Sequence, residues 1–283
     1  VAGEGQQIAD ISAYANNGQL DAAYDNSTVR VAGKADNALD FATLLPNKLM
    51  VSVPNQDNLL FDKNSFTVSF WMKADPSLIP AITPVQLSSY ILCKGSITKN
   101  ATTGATGKRF DVEIKNNQLR FAIDSDDKTK TELTSSLAAN KYYTGDWVNV
   151  IIMRDVVAAK LRIYTNGVFT NEGNDTTGTT VGIGEPTDLV IGNIGALELF
   201  ANTTPAPYKG AFDELKMFNY ALTATEVTAL YNQALLSNEK FSQNKFNGTV
   251  YPNPVKDQIF INIPEHNLFE ATATLSDITG KII

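Results

Sequence analysis

The chain has 283 residues, 43% hydrophobic and 19% charged, a balance that fits folded domains and excludes wholesale disorder. Its 23 basic and 30 acidic side chains leave a net charge of −7, which argues against a nucleic-acid backbone or an anionic membrane surface as partner. One cysteine, Cys93, and one histidine, His266, exclude an intrachain disulfide, a Ser-His-Asp or Cys-His site in the main body, and a multi-histidine metal centre. Carboxylate chemistry, oxygen-ligand metals such as calcium, and binding without catalysis are left.

The opening Val1-Ala2-Gly3-Glu4 has neither the basic start nor the apolar core of a secretory leader, so an exported form would be one already trimmed. Period-2 alternation dominates residues 38–220. Phe66, Val68, Phe70 and Met72 fall on one face of a strand. Cys93 sits in the apolar run Tyr90-Ile91-Leu92-Cys93-Lys94 and reads as a buried small hydrophobe. Phe110, Val112 and Ile114 alternate with Asp111, Glu113 and Lys115, and the charged set reads as a solvated outer face. Leu119, Phe121 and Ile123 repeat the pattern, as do Leu161 and Ile163. The stretch from Trp147 to Met153 is more continuously apolar, which predicts a strand covered on both sides, yet it is far shorter than the roughly 20 residues of a membrane span. Asn116-Asn117, Ser125-Asp126-Asp127, Asn166-Gly167 and Gly192-Asn193 mark turns. Asp124 to Thr129 fails as an EF-hand loop, because Lys128 takes a ligand place and no glycine follows. Residues 96–108 and 171–184 are rich in Thr, Gly and Asn or Ala and read as long loops, the first places to look for a ligand.

One segment reads as a helix. Thr223 and Glu226 form a capping box, and Val227, Leu230, Tyr231 and Ala234 follow at helical spacing. Many strands and one late helix predict an all-β chain, an antiparallel β-sandwich. Residues 237–247 are polar and aperiodic and read as a linker between a domain at 1–236 and a small β unit at 248–283. In that unit Ile259, Ile261 and Ile263 alternate with Phe260 and Asn262.

Several motifs, in order, resemble the laminin-G-like, concanavalin-A-like jelly rolls. Gly210-Ala211-Phe212-Asp213-Glu214-Leu215-Lys216-Met217-Phe218-Asn219-Tyr220-Ala221-Leu222-Thr223 resembles that family's closing strand and its lead into a short helix. Asp10-Ile11-Ser12 with Asn16-Asn17-Gly18 resembles its opening motif, although Ala13, Tyr14 and Ala15 replace Gly-Asn-Gly. Phe66 to Lys73, Gly145-Asp146-Trp147 and Leu161 to Gly167 resemble three of its inner strands. The small unit, with Tyr251-Pro252-Asn253-Pro254 and Asp277-Ile278-Thr279-Gly280-Lys281, resembles the start of a type A sorting domain of the Bacteroidetes type IX secretion system.

These resemblances imply a jelly roll with one short C-terminal helix, then a partial Ig-like β-sandwich whose final strands are missing. They imply export to the surface of a Gram-negative bacterium or beyond it. Tyr251, Pro252, Asn253, Pro254, Asp277, Gly280 and Lys281 would carry the sorting signal to translocon components. They also imply a structural calcium, with Asp10 and Asp213 as carboxylate ligands and Asn16 as a carbonyl donor. The residues alone equally allow an N-terminal turn held by Asp10, with Asp213 facing solvent. No Glu-x-Asp-x-x-Glu stands anywhere in the chain, so the paired carboxylates of the glycosidases in this fold are missing, and no catalytic residue is expected. The expected function is carbohydrate or glycoconjugate binding, in adhesion or polysaccharide capture. The alternatives are a protein–protein module of a surface assembly and, behind it, a polysaccharide-active enzyme. Tyr142, Tyr143, Phe169, Phe200 and Tyr208 are candidate sugar platforms, each also compatible with core packing.

Overall fold

The computed structural model describes residues 3–21, 24–41, 50–76, 88–95, 98–100, 104–115, 118–125, 130–135, 142–177, 182–193, 206–236, 249–251 and 260–262. The chain divides into a unit at Val1–Asn238 and a second at Glu239–Ile283.

In the first unit the strands are, in chain order, β1 (Gln7–Ile8), β2 (Gly18–Leu20), β3 (Arg30–Ala32), β4 (Asn37–Asp40), β5 (Val51–Val53) and β6 (Phe66–Ala74). There follow β7 (Ser88–Gly95), β8 (Thr98–Asn100), β9 (Gly104–Thr106), β10 (Arg109–Lys115), β11 (Gln118–Asp124) and β12 (Lys130–Thr134). The last are β13 (Val148–Asp155), β14 (Lys160–Thr165), β15 (Val168–Asn174), β16 (Leu189–Ile191), β17 (Ala206–Pro207) and β18 (Gly210–Phe218), ahead of helix α1 (Ala224–Leu236).

Two sheets face each other. The nine-stranded sheet runs β1-β2-β5-β16-β7-β10-β11-β12, with β17 also on β7; the seven-stranded sheet runs β15-β14-β13-β6-β18-β4-β3. Every pairing is antiparallel except β17 with β7. This is the predicted sandwich. Its core is the inward half of each alternating pattern: Phe66, Val68, Phe70 and Met72 of β6 meet Phe110, Val112 and Ile114 of β10 and Leu119, Phe121 and Ile123 of β11. Aromatic rings bridge the layers. Phe66 lies 5.0 Å from Phe110 and 6.2 Å from Phe121 across the layers and stacks on Phe61 at 4.8 Å, while within the seven-stranded sheet Phe70 stacks on Phe212 at 5.2 Å. Burying one such ring stabilises the fold by roughly 1.5–3 kcal/mol.

The apolar run on β13 is covered on both sides, as its composition predicts. Val150 and Ile152 face the core, while Ile151 and Met153 face outward and pack with Leu222 and Val227 at the start of α1. The capping box forms: Glu226 N–H donates to the Thr223 hydroxyl at 3.3 Å, and Thr223 N–H donates to the Glu226 carboxylate at 2.7 Å. The Asn166-Gly167 turn between β14 and β15 has φ of +51° and +73°, the pair of left-handed residues that a two-residue hairpin needs and that Asn-Gly supplies.

Three expectations are corrected. Residues 171–174 belong to β15 rather than a loop, held by pairing with β14. Residues 98–100 and 104–106 form the hairpin β8–β9 rather than a structureless loop. Asp111 and Glu113 are not solvated: both are 0% exposed. Cys93 is buried as expected, and burial raises its thiol pKa far above the ordinary range.

In the second unit, β19 (Thr249–Tyr251) pairs antiparallel with β20 (Phe260–Asn262), Val250 opposite Ile261. Of the sorting-signal residues, Tyr251 ends β19, while Pro252, Asn253, Pro254, Asp277, Gly280 and Lys281 lie outside the described residues.

Candidate functional site

Asp10, Asn16 and Asp213 come from opposite ends of the domain and line one cleft of about 1040 Å³. The N-terminal side is a tight loop. Asp10 Oδ1 accepts the Ser12 N–H at 2.8 Å, and its Oδ2 accepts the Ser12 hydroxyl and the Asn16 N–H, each at 2.8 Å. Asn17 closes the loop, its Oδ1 accepting the Asp10 N–H at 2.9 Å. Ala15, where a glycine stands in the resembling motif, takes φ +50°, so the loop keeps its left-handed turn despite the substitution. Burial works to raise the Asp10 carboxyl, but the bonds from Ser12 and Asn16 outweigh it and hold it below the ordinary aspartate value.

Asp213 does a different job. Its side chain is buried, not solvent-facing. Oδ2 accepts the N–H groups of Lys34 and Ala35 at 2.8 and 3.1 Å, and Oδ1 accepts the Glu214 N–H at 2.9 Å. It thus clips the β3–β4 turn onto β18, where Glu214 bulges at φ +51°. The fit is close: a Cβ on Gly33 would run into Asp213 Oδ2. Burial raises its pKa, against the pull of the Ala35, Glu214 and Lys34 N–H groups.

This donor set does not fit calcium. The cation needs six to eight oxygens converging at 2.3–2.6 Å. Here both carboxylates converge on N–H hydrogens, and Asn16 faces Asp10 with its own N–H. Among the described residues no three acidic, histidine or cysteine side chains are grouped to hold a metal.

A second cluster lies on β10–β12. Arg109 donates to Asp111 at 2.9 Å and to Asp124 at 2.8 Å; Arg120 donates to Asp111 at 3.1 Å and also pairs with Glu113 and Glu132. The register explains the mesh, since Arg109 lies opposite Asp124 and Glu113 opposite Arg120. Sequence reading missed this network, and its signal was there: outward positions of neighbouring strands carry opposite charges at matched places. Burial and nearby Asp111 raise the Tyr90 hydroxyl pKa, and burial and Glu113 raise that of Tyr143.

Of the candidate aromatic platforms, Tyr142, Tyr143 and Tyr208 are buried and belong to the core. Phe200 lies outside the described residues. Phe169 is 54% exposed, edge-on to Tyr164 at 5.6 Å. Tyr14 and Tyr220, at the cleft, are exposed too and were not singled out.

The sequence family described as the Concanavalin A-like lectin/glucanases superfamily matches residues 48–228. The chain belongs to this superfamily. The lectin/glucanase-type domain is followed by a match to the Secretion system C-terminal sorting domain at residues 249–283, which marks export by the type IX system to the cell surface or outside. Solved structures agree on the fold. The binding domain of Paraclostridial Mosquitocidal Protein 1 superposes with a TM-score of 0.59 at 15% identity, over 87% of this chain and 52% of that one. The receptor binding domain of a botulinum neurotoxin C/D mosaic serotype gives 0.56 at 14%, over 96% and 63%. The serotype G botulinum neurotoxin binding domain gives 0.54 at 15%, over 81% and 50%. The lectin/glucanase-type chain thus spans between half and two thirds of these chains. No curated protein sequence matches it. Among the described residues no helix is long and apolar enough to cross a membrane.

Proposed function

We propose that this is a non-catalytic carbohydrate-binding protein, carried out of the cell by its sorting domain and engaging glycans or polysaccharide in adhesion or capture. The observation that carries the reading is the union, on one chain, of a lectin/glucanase-type sandwich and an export signal. Phe169 is the proposed platform. It stands exposed beside the β14–β15 turn, its ring braced by Tyr164, and a sugar's apolar face packs on such a ring. The absence of catalysis is supported by the acids of β10. Asp111 is bonded to two guanidinium groups and Glu113 is paired with one, whereas glycoside hydrolysis needs two carboxyl groups free to meet substrate. Calcium has no part in the proposed recognition, because the Asp10 and Asp213 carboxylates are engaged by N–H groups. The C-terminal unit is proposed to contact translocon components during export.

The test is binding of the full chain to a glycan and polysaccharide panel, in calcium and in chelator, with Phe169→Ala beside the wild type. Expected are hits unaffected by chelator and weakened about tenfold or more by the substitution. No hit above background removes the glycan reading. New reducing ends or unsaturated products from any polysaccharide would make the protein an enzyme.

The protein–protein alternative is favoured by one observation: the cleft that holds Asp10 and Asp213 is lined on one side by the consecutive residues Phe212 to Phe218 of β18.

A further inference from the structure

Strand β18 is paired on both edges only at its start. β4 meets it at Ala211 and Phe212, opposite Asp40 and Leu39. β6 follows the other edge on to Phe218. The β3–β4 turn is held against Asp213, and Glu214 bulges; beyond them, from Leu215 to Phe218, the outer edge has no described strand beside it. At about 3.3 Å per residue this stretch is roughly 13 Å long, room for a strand of about four residues.

The open edge does not look onto bare solvent. It forms a wall of the 1040 Å³ cleft. Val53, Leu59 and Leu189 line that cleft from the side of the nine-stranded sheet, and Leu39, Leu215 and Met217 from the other. Leu215 and Met217 pack against the core yet stay only partly buried. Among the described residues, the charged side chains that line the cleft are Asp10, Asp36, Asp213, Glu214 and Lys216, acidic groups outnumbering basic ones.

These features together select the occupant. A lipid chain or a small apolar molecule satisfies the apolar lining and leaves the backbone edge unmet. A helix has no backbone donors or acceptors to spare for an edge. An extended polypeptide meets both demands: it bonds to the edge and sends every second side chain into the cleft. A strand laid there runs past the β3–β4 turn that Asp213 holds against β18. The acidic surround favours a basic residue at its end.

We propose that the cleft is an acceptor groove for a β-strand of a partner polypeptide, about four residues long, apolar at alternate positions and basic at one end. This is independent of the glycan reading, since it uses neither Phe169 nor the hairpin that carries it.

The probe is a capped synthetic peptide of about eight residues, leucine alternating with threonine and ending in lysine. Fluorescence anisotropy on the full chain measures affinity, and amide hydrogen exchange maps the contact. Saturable binding with new protection at residues 215–218 is expected. A matched peptide N-methylated at alternate amides keeps the side chains but loses the edge bonds, and is expected to bind about tenfold more weakly or worse. Met217→Lys puts a charge in the cleft and should also weaken binding, with the melting temperature checking that it folds. Absence of binding overturns the proposal, and so does equal binding by the N-methylated peptide, which would mean an apolar pocket only. A concentration-dependent dimer that excludes the peptide would make a second copy the occupant and overturn it as well.

Discussion

Replacing Asp111 by alanine tests whether the charged face of β10 is structural. The carboxylate is 0% exposed and accepts from Arg109 at 2.9 Å and Arg120 at 3.1 Å. Its loss leaves two buried guanidinium groups short of a counter-charge. Removing one member of a buried ion pair costs about 3–5 kcal/mol. Arg109 keeps Asp124, and Arg120 keeps Glu113 and Glu132, so the lower end, about 3 kcal/mol, is expected. In a domain of this size each kcal/mol moves the melting midpoint by about 2–4 °C, so the midpoint should fall by roughly 6–12 °C. Thermal melts by circular dichroism on wild type, Asp111→Ala and Lys115→Ala would measure it. Lys115 is the control, on the same strand but only half-buried, where a change within about 0.5 kcal/mol is expected. If Asp111→Ala melts with the control, the face is solvated as its alternation suggested, and the argument from burial is wrong.

Thr223→Ala removes the helix cap and should cost about 1 kcal/mol, read as a lower urea midpoint at unchanged slope. Asp10→Ala should cost about 1–2 kcal/mol at pH 6. Because the folded pKa of Asp10 lies below its ordinary value, that contribution is complete above the unfolded pKa and fades as pH falls through the folded one. The gap between wild type and variant should therefore close under acid, below about pH 4, in urea titrations at stepped pH. Taking the difference cancels Asp213, whose burial shifts its pKa the opposite way. Adding calcium or chelator should leave the wild-type melting midpoint unchanged; a calcium-dependent rise would return Asp10 and Asp213 to the role of ligands. Gly210→Ala should destabilise by about 2 kcal/mol or more, since φ is +139° and the new methyl would meet Tyr208 Oη at 2.8 Å, as a melt would show.

The architecture was legible because the sandwich core obeys period 2, and every inward residue named on β6, β10, β11 and β14 is in it. The helix was legible from two residues, Thr223 and Glu226, whose reciprocal bonds need only a spacing of three. What alternation cannot report is the environment of the outward half. Asp111 looks the same in sequence under water or under protein; only the facing arginines at 109 and 120 hint at a buried mesh. The Asp10 turn was within reach of sequence because its bonds are local, ending at Asn16. Asp213 was not, because its partners Lys34 and Ala35 are 179 and 178 residues away and their N–H groups carry no side-chain signature.

Exposed edges are a hazard for any β protein, and the contrast between edges here bears on the cleft. β12 and β15 end their sheets. β12 is studded with Lys130 and Glu132, which pair with each other, and β15 carries Glu172, bonded to Arg162 at 2.7 Å and Lys160 at 3.1 Å. Charge of this kind blunts an edge, because a second strand laid there must desolvate it. On β18 Glu214 and Lys216 form a single ion pair at 3.2 Å, but Leu215 and Met217 line an apolar cleft between them and beyond. The same polypeptide that guards the β12 and β15 edges with charge leaves the free part of the β18 edge lined for a strand. If that difference reflects selection for a partner, adding charge at Met217 abolishes peptide capture while leaving glycan binding at Phe169 intact, and Phe169→Ala does the reverse. A variant at either position that lost both activities would mean that the two surfaces are one.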